Sequence, residues 1–197
     1  MPKRSGNRRQ EILEVLAREL ESQPKDRVTT AQLAKALGVS EAALYRHFPS
    51  KARMFEGLIE FAEDSVFGLQ QRVLDQQLDT ATTCRQLLTV LLGFGAKNPG
   101  ITRVLLGHAI VGEHPRLQAR VGQFFDQCES RIRQVLNRHT LTPRAHLPLQ
   151  ASAAANLLMA YARGRLLQYL QSGFKDLPDA DMERIWPALA RFLFQEE

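Results

Sequence analysis

The chain has 197 residues, 44% of them hydrophobic, and a formal net charge of +5 at pH 7. This hydrophobic content supports a substantial core and excludes a disordered chain. The two cysteines, Cys84 and Cys128, form no C-x-x-C motif, so we expect reduced thiols in the cytoplasm. The N-terminus leads into an amphipathic helix instead of a signal peptide, and the longest uncharged stretch, 145–162, is too polar for a membrane span.

Hydrophobic periodicity predicts helices along the whole chain and no convincing strand, so we expect an all-α fold. In chain order, the predicted helices cover 8–22, 30–37, 41–48, 51–77, 82–97, 101–111, 115–138, 149–172 and 179–195. Breaks are predicted where proline or glycine interrupts the periodicity, at Pro49, Asn98-Pro99-Gly100, His114-Pro115, 142–148 and Asp176-Leu177-Pro178.

The second and third predicted helices have the pattern of a helix-turn-helix. Thr29 and Gln32 fit a capping box that would start the first of these two helices. Gly38 supplies a residue that tolerates the left-handed conformation where this helix must end. Ser40 is then a suitable N-cap for the helix that follows.

The helix after Ser40 has one apolar face, formed by Leu44 and Phe48, and an opposite face suited to DNA. The outward residues are either short, so that the helix can enter the major groove, or polar, so that they reach bases and phosphates. They are Ser40, Ala42, Ala43, Tyr45, Arg46 and His47. Alternatively, the segment is an ordinary helical hairpin with a solvated polar face.

The net charge is concentrated at the N-terminus. Residues 1–53 hold 11 Lys+Arg and 6 Asp+Glu, whereas residues 54–197 hold 15 of each. Because neutralisation of phosphates dominates affinity for nucleic acid, this distribution predicts a DNA-binding head, residues 1–53. The remaining residues, 54–197, are predicted to form a helical body for dimerisation and partner binding.

The segment V-S-E-A-A-L-Y-R-H-F-P-S-K-A-R-M-F, from Val39 to Phe55, resembles the TetR family of dimeric, all-α DNA-binding proteins. Three motifs in the body resemble the nucleoid occlusion factors within that family: L-I-E-F-x-E-D-S at 58–65, L-L-G-F-G-x-K-N-P-G at 91–100 and Gly107-His108-Ala109. The resemblance implies a homodimer that binds palindromic chromosomal DNA, antagonises assembly of the division GTPase FtsZ over the nucleoid, and thereby coordinates division with chromosome segregation.

The resemblance also implies site residues. The implied DNA contacts are Arg8 and Arg9, on a flexible arm, and Thr30, Ser40, Ala42, Ala43, Tyr45, His47 and Lys51. The implied site for the FtsZ tail is a groove lined by Phe61, Gly93, Lys97 and Asn98. The chain departs from the family after Ser65, where a basic residue is expected but none occurs before Arg72.

Other interpretations stay open for the same residues. Without the resemblance, Phe61 would be assigned to the core and Gly93 to close helix packing. An ordinary TetR-type repressor would instead enclose a small-molecule pocket lined by Phe94, Leu105, Phe124 and Tyr161. A third possibility is a helical adaptor for protein partners, whose basic head contacts polyanions unspecifically.

The last two predicted helices carry stripes that suggest a dimer seam. One stripe consists of small residues and the other of bulky residues, so two subunits could form a four-helix bundle; alternatively both stripes belong to the core of one chain. The stripes are Ala151, Ala154, Ala155, Leu158 and Ala162, and Ile185, Leu189, Phe192 and Leu193. We find no motif for catalysis, a metal or a cofactor, so we expect a protein that is not an enzyme.

Overall fold

The computed structural model describes the backbone of residues 5–22, 27–141 and 147–194, and their side chains from residue 8 onward. Within these ranges the chain forms nine α-helices and no β-strand, which confirms the predicted all-α fold. The helices are α1 (Ser5–Ser22), α2 (Thr30–Leu37), α3 (Glu41–His47), α4 (Lys51–Asp75), α5 (Thr80–Lys97), α6 (Pro99–Leu105), α7 (Arg116–His139), α8 (Ala151–Gln171) and α9 (Met182–Leu193). A 3₁₀ helix, His108–Ile110, lies between α6 and α7. Most of the predicted loop 142–148 and the end of the last predicted helix lie outside the described residues.

The chain divides into two compact units. Unit 1 consists of Met1–Ala62 and Asn98–Gly122, and unit 2 consists of Glu63–Lys97 and Gln123–Glu197. The predicted head therefore lies within unit 1, which also contains α6 and the start of α7. The predicted domain boundary at residue 53 stays a prediction.

In unit 1, helix α1 packs against α2, α3 and α6. The apolar stripe Ile12, Leu16 and Leu20 is fully buried, because these residues recur once per helical turn on one face. Helices α1 and α6 approach closely at Gly100, where a Cβ atom would lie 2.0 Å from the carbonyl oxygen of Ala17. Glycine is therefore required at this crossing.

The helix predicted over 101–111 is wrong at both ends. Helix α6 begins at Pro99, since proline is well suited to the first turn of a helix, and it ends at Leu105. Gly107 then adopts a left-handed conformation with φ +81°, so the chain continues as the short 3₁₀ helix instead of the predicted α-helix. This turn begins the loop that leads to α7.

In unit 2, helix α8 packs against α5, and α9 also contacts α5. The small-residue stripe of α8 is buried within the single chain: Ala154, Ala155, Leu158 and Ala162 are 0% exposed. The prediction that this stripe forms the dimer seam is therefore wrong, and for this stripe the alternative of an intrachain core holds. In the bulky stripe of α9, Leu193 is buried as well, whereas Phe192 is 47% exposed. Leu157 and Leu167 are exposed apolar residues of α8 outside its small-residue stripe.

Candidate nucleic-acid interface

The helix-turn-helix has the local geometry that its sequence predicts. The hydroxyl of Thr29 accepts a hydrogen bond from the backbone N–H of Gln32, and the Gln32 side chain accepts one from the Thr29 N–H at 2.8 Å, which completes the capping box. Gly38 ends α2 with φ +65°. The Ser40 hydroxyl accepts a hydrogen bond from the N–H of Ala43 at 3.3 Å and caps α3. These caps fix where the two helices begin and end.

The orientation of α3 leaves one face available. Leu44 and Phe48 are buried, whereas Tyr45 is 42% exposed. Ala42 is also exposed, and Ala43 and His47 are half-buried. The face opposite the core thus carries small and polar side chains, as predicted for a helix that enters the major groove.

Arg46 is missing from the set of DNA contacts implied by the resemblance. It is exposed on α3, four residues after Ala42, and therefore lies on the same outward face. Helical spacing alone predicts this position of Arg46 from the sequence. A guanidinium at this position is suited to guanine or to phosphate.

Thr30 and Glu41 are joined across the turn of the motif. The hydroxyl of Thr30, the first residue of α2, donates a hydrogen bond of 2.6 Å to the carboxylate of Glu41, the first residue of α3. The predicted phosphate contact at Thr30 therefore shares its hydroxyl with an acidic neighbour.

The prediction that Arg8 and Arg9 lie on a flexible arm is wrong, because α1 begins at Ser5 and includes both. Arg8 forms an ion pair of 2.8 Å with Glu11 one turn later. The Arg9 guanidinium lies 4.5 Å from the ring centroid of Phe48 and donates a hydrogen bond of 3.4 Å to the carbonyl of His47. Arg9 is thus fixed beside the end of α3.

Lys51, at the start of α4, also contacts other residues of unit 1. Its Nζ donates a hydrogen bond of 2.6 Å to Oε1 of Glu113, in the loop before α7, and lies 5.6 Å from the ring centroid of Phe55. A second ion pair of 2.6 Å joins Arg116, close in sequence to Glu113, to Glu56, close in sequence to Lys51. Sequence analysis missed both pairs, because their members are about 60 residues apart and carry no local signal.

The residues predicted to bind the FtsZ tail are divided between the units. Phe61 on α4 and Asn98 belong to unit 1, while Gly93 and Lys97 on α5 belong to unit 2. Phe61 is 48% exposed, so the alternative that it is a core residue is wrong. Gly93 has no described atom within 4 Å of a hypothetical Cβ, so close packing does not require glycine there. Lys97 is exposed.

The ligand-pocket alternative gains no support from unit 2. Phe124 is fully buried, and its ring contacts Phe67 at 5.5 Å and Phe125 at 5.2 Å between centroids, so side chains fill this position. Three clefts among the described residues of unit 2 are lined by other residues. The four residues proposed to line a pocket are not brought together in any of these clefts.

The two cysteine thiols are buried in an environment that favours their protonated form. Burial raises the pKa of Cys84 to about 12, to which the charge of Asp79 contributes, and burial raises the pKa of Cys128 to about 12. Both therefore stay protonated near neutral pH, whereas a thiolate is required for nucleophilic attack or metal binding. None of the described helices is both long enough and apolar enough to cross a membrane.

Two family models match the chain, and its relatives extend over nearly its whole length. Residues 12–58 match the bacterial regulatory proteins of the TetR family, and residues 78–194 match the tetracyclin repressor-like C-terminal domain. The nucleoid occlusion factor SlmA of Shewanella woodyi is 48% identical over 189 residues, 96% of this chain and 96% of that protein. The chain belongs to the SlmA family. The SlmA of Idiomarina loihiensis is 46% identical over 193 residues, 98% of each chain.

Solved structures show that this member of the SlmA family has the TetR fold. A TetR family transcriptional regulator, PfmR of Thermus thermophilus, has a TM-score of 0.72 at 20% identity and covers 93% of this chain and 94% of its own. The MbdR regulator of Azoarcus has a TM-score of 0.76 at 14% identity, with 91% and 95% covered. At these identities the similarity concerns the fold alone.

Proposed function

We propose that the chain is a nucleoid occlusion factor that binds palindromic chromosomal DNA as a homodimer and, while bound, antagonises FtsZ assembly over the nucleoid. The observation that carries the proposal is a basic helix-turn-helix with an exposed recognition face, in a chain whose relatives are named nucleoid occlusion factor SlmA. The protein acts in the cytoplasm, on the nucleoid. It acts by binding, without a catalytic centre or cofactor.

We assign the DNA contacts to two classes. Ser40, Ala42 and Ala43 lie in or next to the first turn of α3, where short side chains allow the backbone and its positive end to approach the groove. The remaining predicted contact residues bind the phosphates, which fixes the position of the protein along the DNA without reading the base sequence. They are Arg8, Arg9, Thr30, Tyr45, His47 and Lys51.

Arg46 extends this set as a base-reading or phosphate-binding residue. Its exposure on the outward face of α3 supports this assignment. Since a bidentate arginine–guanine contact contributes about 1–3 kcal/mol of discrimination, Arg46→Ala should relax specificity at one position of each half-site.

The dimer is proposed to form through the outward face of α8 together with α9. Positions on this face recur at spacings of four and three residues, which is the spacing of a helix–helix seam. They are Ala153, Leu157, Ala160, Gly164 and Leu167, and α9 adds Phe192. A palindrome requires two recognition helices roughly 34–36 Å apart on one face of the DNA, and a two-fold dimer supplies two such helices.

The FtsZ tail is proposed to bind at Phe61, Gly93, Lys97 and Asn98. In unit 1, the exposed aromatic ring of Phe61 suits an apolar residue of a peptide. In unit 2, the open backbone at Gly93 and the exposed cation of Lys97 suit an extended acidic segment. Arg72, exposed on α4, is the candidate for the basic position that is absent directly after Ser65.

The test is sedimentation of FtsZ polymers with the purified protein, with and without a palindromic duplex selected from a random pool. We expect inhibition that strengthens when the specific duplex is present, because the two binding events are linked. Specific DNA binding without any effect on polymers would contradict the proposal and leave a transcriptional repressor of the TetR type. Binding without discrimination between duplexes would instead support the adaptor interpretation.

A further inference from the structure

Glu113 lies outside the head in sequence but contacts it in unit 1. It belongs to the loop between the 3₁₀ helix and α7, and its carboxylate accepts the 2.6 Å hydrogen bond from Lys51. The two side chains are 25% and 18% exposed, so the ion pair is partly buried. Salt screens such a pair less than it screens an exposed one.

The neighbouring residue of the same loop contacts a second cation of the head. Gly112 has φ +75°, and a Cβ atom on it would lie 2.6 Å from Nη2 of Arg27. The loop thus contacts Arg27, which precedes α2, and Lys51, which follows α3. One loop is therefore in contact with a basic residue at each end of the helix-turn-helix.

We propose that Glu113 is an intramolecular substitute for a DNA phosphate: it occupies Lys51 in the free protein and lowers the affinity of the head for every DNA sequence. The proposal rests on the role of Lys51 as a phosphate contact. A cation paired at 2.6 Å has its charge already neutralised, so a phosphate gains little by approaching it. The carboxylate must therefore be displaced before a phosphate can bind Lys51.

The sequence independence of the effect follows from the chemistry of the pair. Lys51 offers an ammonium group to an anion, and phosphates occur at every position of a duplex. Removal of the Glu113 charge should therefore strengthen specific and unspecific binding by the same factor. Each dimer contains two Lys51–Glu113 pairs, so the factor by which one pair changes the affinity for DNA is squared for the dimer.

The test compares Kd values for the selected palindrome and for a scrambled duplex by fluorescence anisotropy, between about 50 and 200 mM salt. For Glu113→Gln we expect both Kd values to fall about fivefold and the salt dependence to become steeper by about one to two phosphate equivalents. Glu113→Ala should give the same gain, since the effect comes from loss of the charge.

Two further variants isolate the pair. In a Lys51→Ala background, Glu113→Gln should give no gain, because the freed cation is absent. Glu183→Gln is the matched control: it removes one negative charge and one ion pair, with Arg85 at 3.0 Å, but lies on α9 in unit 2. It should leave both Kd values within about twofold.

The outcomes separate this proposal from the role of Lys51 on which it rests. If Lys51→Ala weakens binding but Glu113→Gln weakens it too, Glu113 positions the lysine for phosphate, and the proposal is overturned while the DNA contact stands. If neither variant changes the Kd, the phosphate contact itself is refuted and the proposal with it. A gain from Glu113→Gln that persists without Lys51 also overturns it, as an effect of net charge alone.

Discussion

The hydroxyl of Thr30 donates a hydrogen bond of 2.6 Å to the carboxylate of Glu41, and this bond joins the first residue of α2 to the first residue of α3. It holds the N-termini of both helices of the motif side by side. Since each N-terminus carries partial positive charge, the Glu41 carboxylate stabilises two helix ends at once. The bond thus restrains the two helices at their N-terminal ends, in addition to their packing in the core.

Removing this bond should weaken both the fold and DNA binding. For Thr30→Val we expect the free energy of unfolding to fall by about 0.5–1 kcal/mol, since the bond is charge-assisted but exposed. The affinity for the palindrome should fall as well, because α3 loses its tether. Urea unfolding and fluorescence anisotropy measure the two effects. Thr30→Ser, which keeps the hydroxyl, should resemble the wild type; equal losses in both variants would show that the bond does not matter.

A carboxylate inside the recognition surface should abolish specific binding. Ala43→Glu places a negative charge and four additional heavy atoms near the first turn of α3, where the groove leaves no room and phosphates repel it. We expect loss of discrimination between palindrome and scrambled duplex in a binding titration. Ala119→Glu, exposed on α7, introduces the same charge on a different helix and should keep discrimination. Retained specificity in Ala43→Glu would refute the assignment of α3.

A charge reversal at Lys97 should separate DNA binding from the proposed antagonism of FtsZ. For Lys97→Glu we expect unchanged affinity for the palindrome and reduced inhibition of FtsZ polymers, since an acidic tail would meet a negative charge. The measurements are anisotropy on DNA and sedimentation of FtsZ polymers. Lys175→Glu changes another exposed lysine, between α8 and α9, and is the control that should inhibit normally. Parallel loss of both activities in Lys97→Glu would argue against separate surfaces.

The close crossing of α1 and α6 should not tolerate a methyl group. Gly100→Ala brings Cβ onto the carbonyl oxygen of Ala17, and backbone cannot move aside as a flexible side chain can. We expect the free energy of unfolding to fall by about 2–3 kcal/mol. Gly122→Ala, in α7 with no described atom within 4 Å of its Cβ, should instead raise it by about 0.5–1 kcal/mol. Equal effects of the two substitutions in urea would contradict the close contact.

The buried thiols should make stability depend on alkaline pH. The folded pKa of Cys84 and Cys128 is raised to about 12, so above roughly pH 9 the unfolded state loses protons that the folded state keeps. The contribution of the protonated thiols to the free energy of unfolding is therefore fully present below about pH 9. It is lost as the pH rises towards 12, by at most about 1.4 kcal/mol per pH unit for each thiol. Unfolding curves should show this slope, and it should flatten in a Cys84→Ala/Cys128→Ala double variant. An identical slope in that variant would exclude the thiols as its source.

The parts of the fold that depend on neighbouring residues could be predicted from the sequence. Thr29, Gly38 and Ser40 determine helix ends through bonds to residues within four positions, and all three behave as predicted. The small-residue stripe of α8 indicated that another helix packs closely against it, but it did not indicate which helix. In the structure α8 packs against α5 of the same chain. The Lys51–Glu113 pair had no signal at all, because it depends on a loop 62 residues away.

The helix-turn-helix packs into a unit whose two pieces are separated in the chain by residues 63–97. During translation, α1 cannot pack against α6 until the chain up to Leu105 has left the ribosome. Premature termination or proteolysis between the two pieces would thus leave a fragment that contains the whole motif and α1 but lacks α6, the helix that packs on α1. A reporter or fusion built from the motif alone would inherit the same defect.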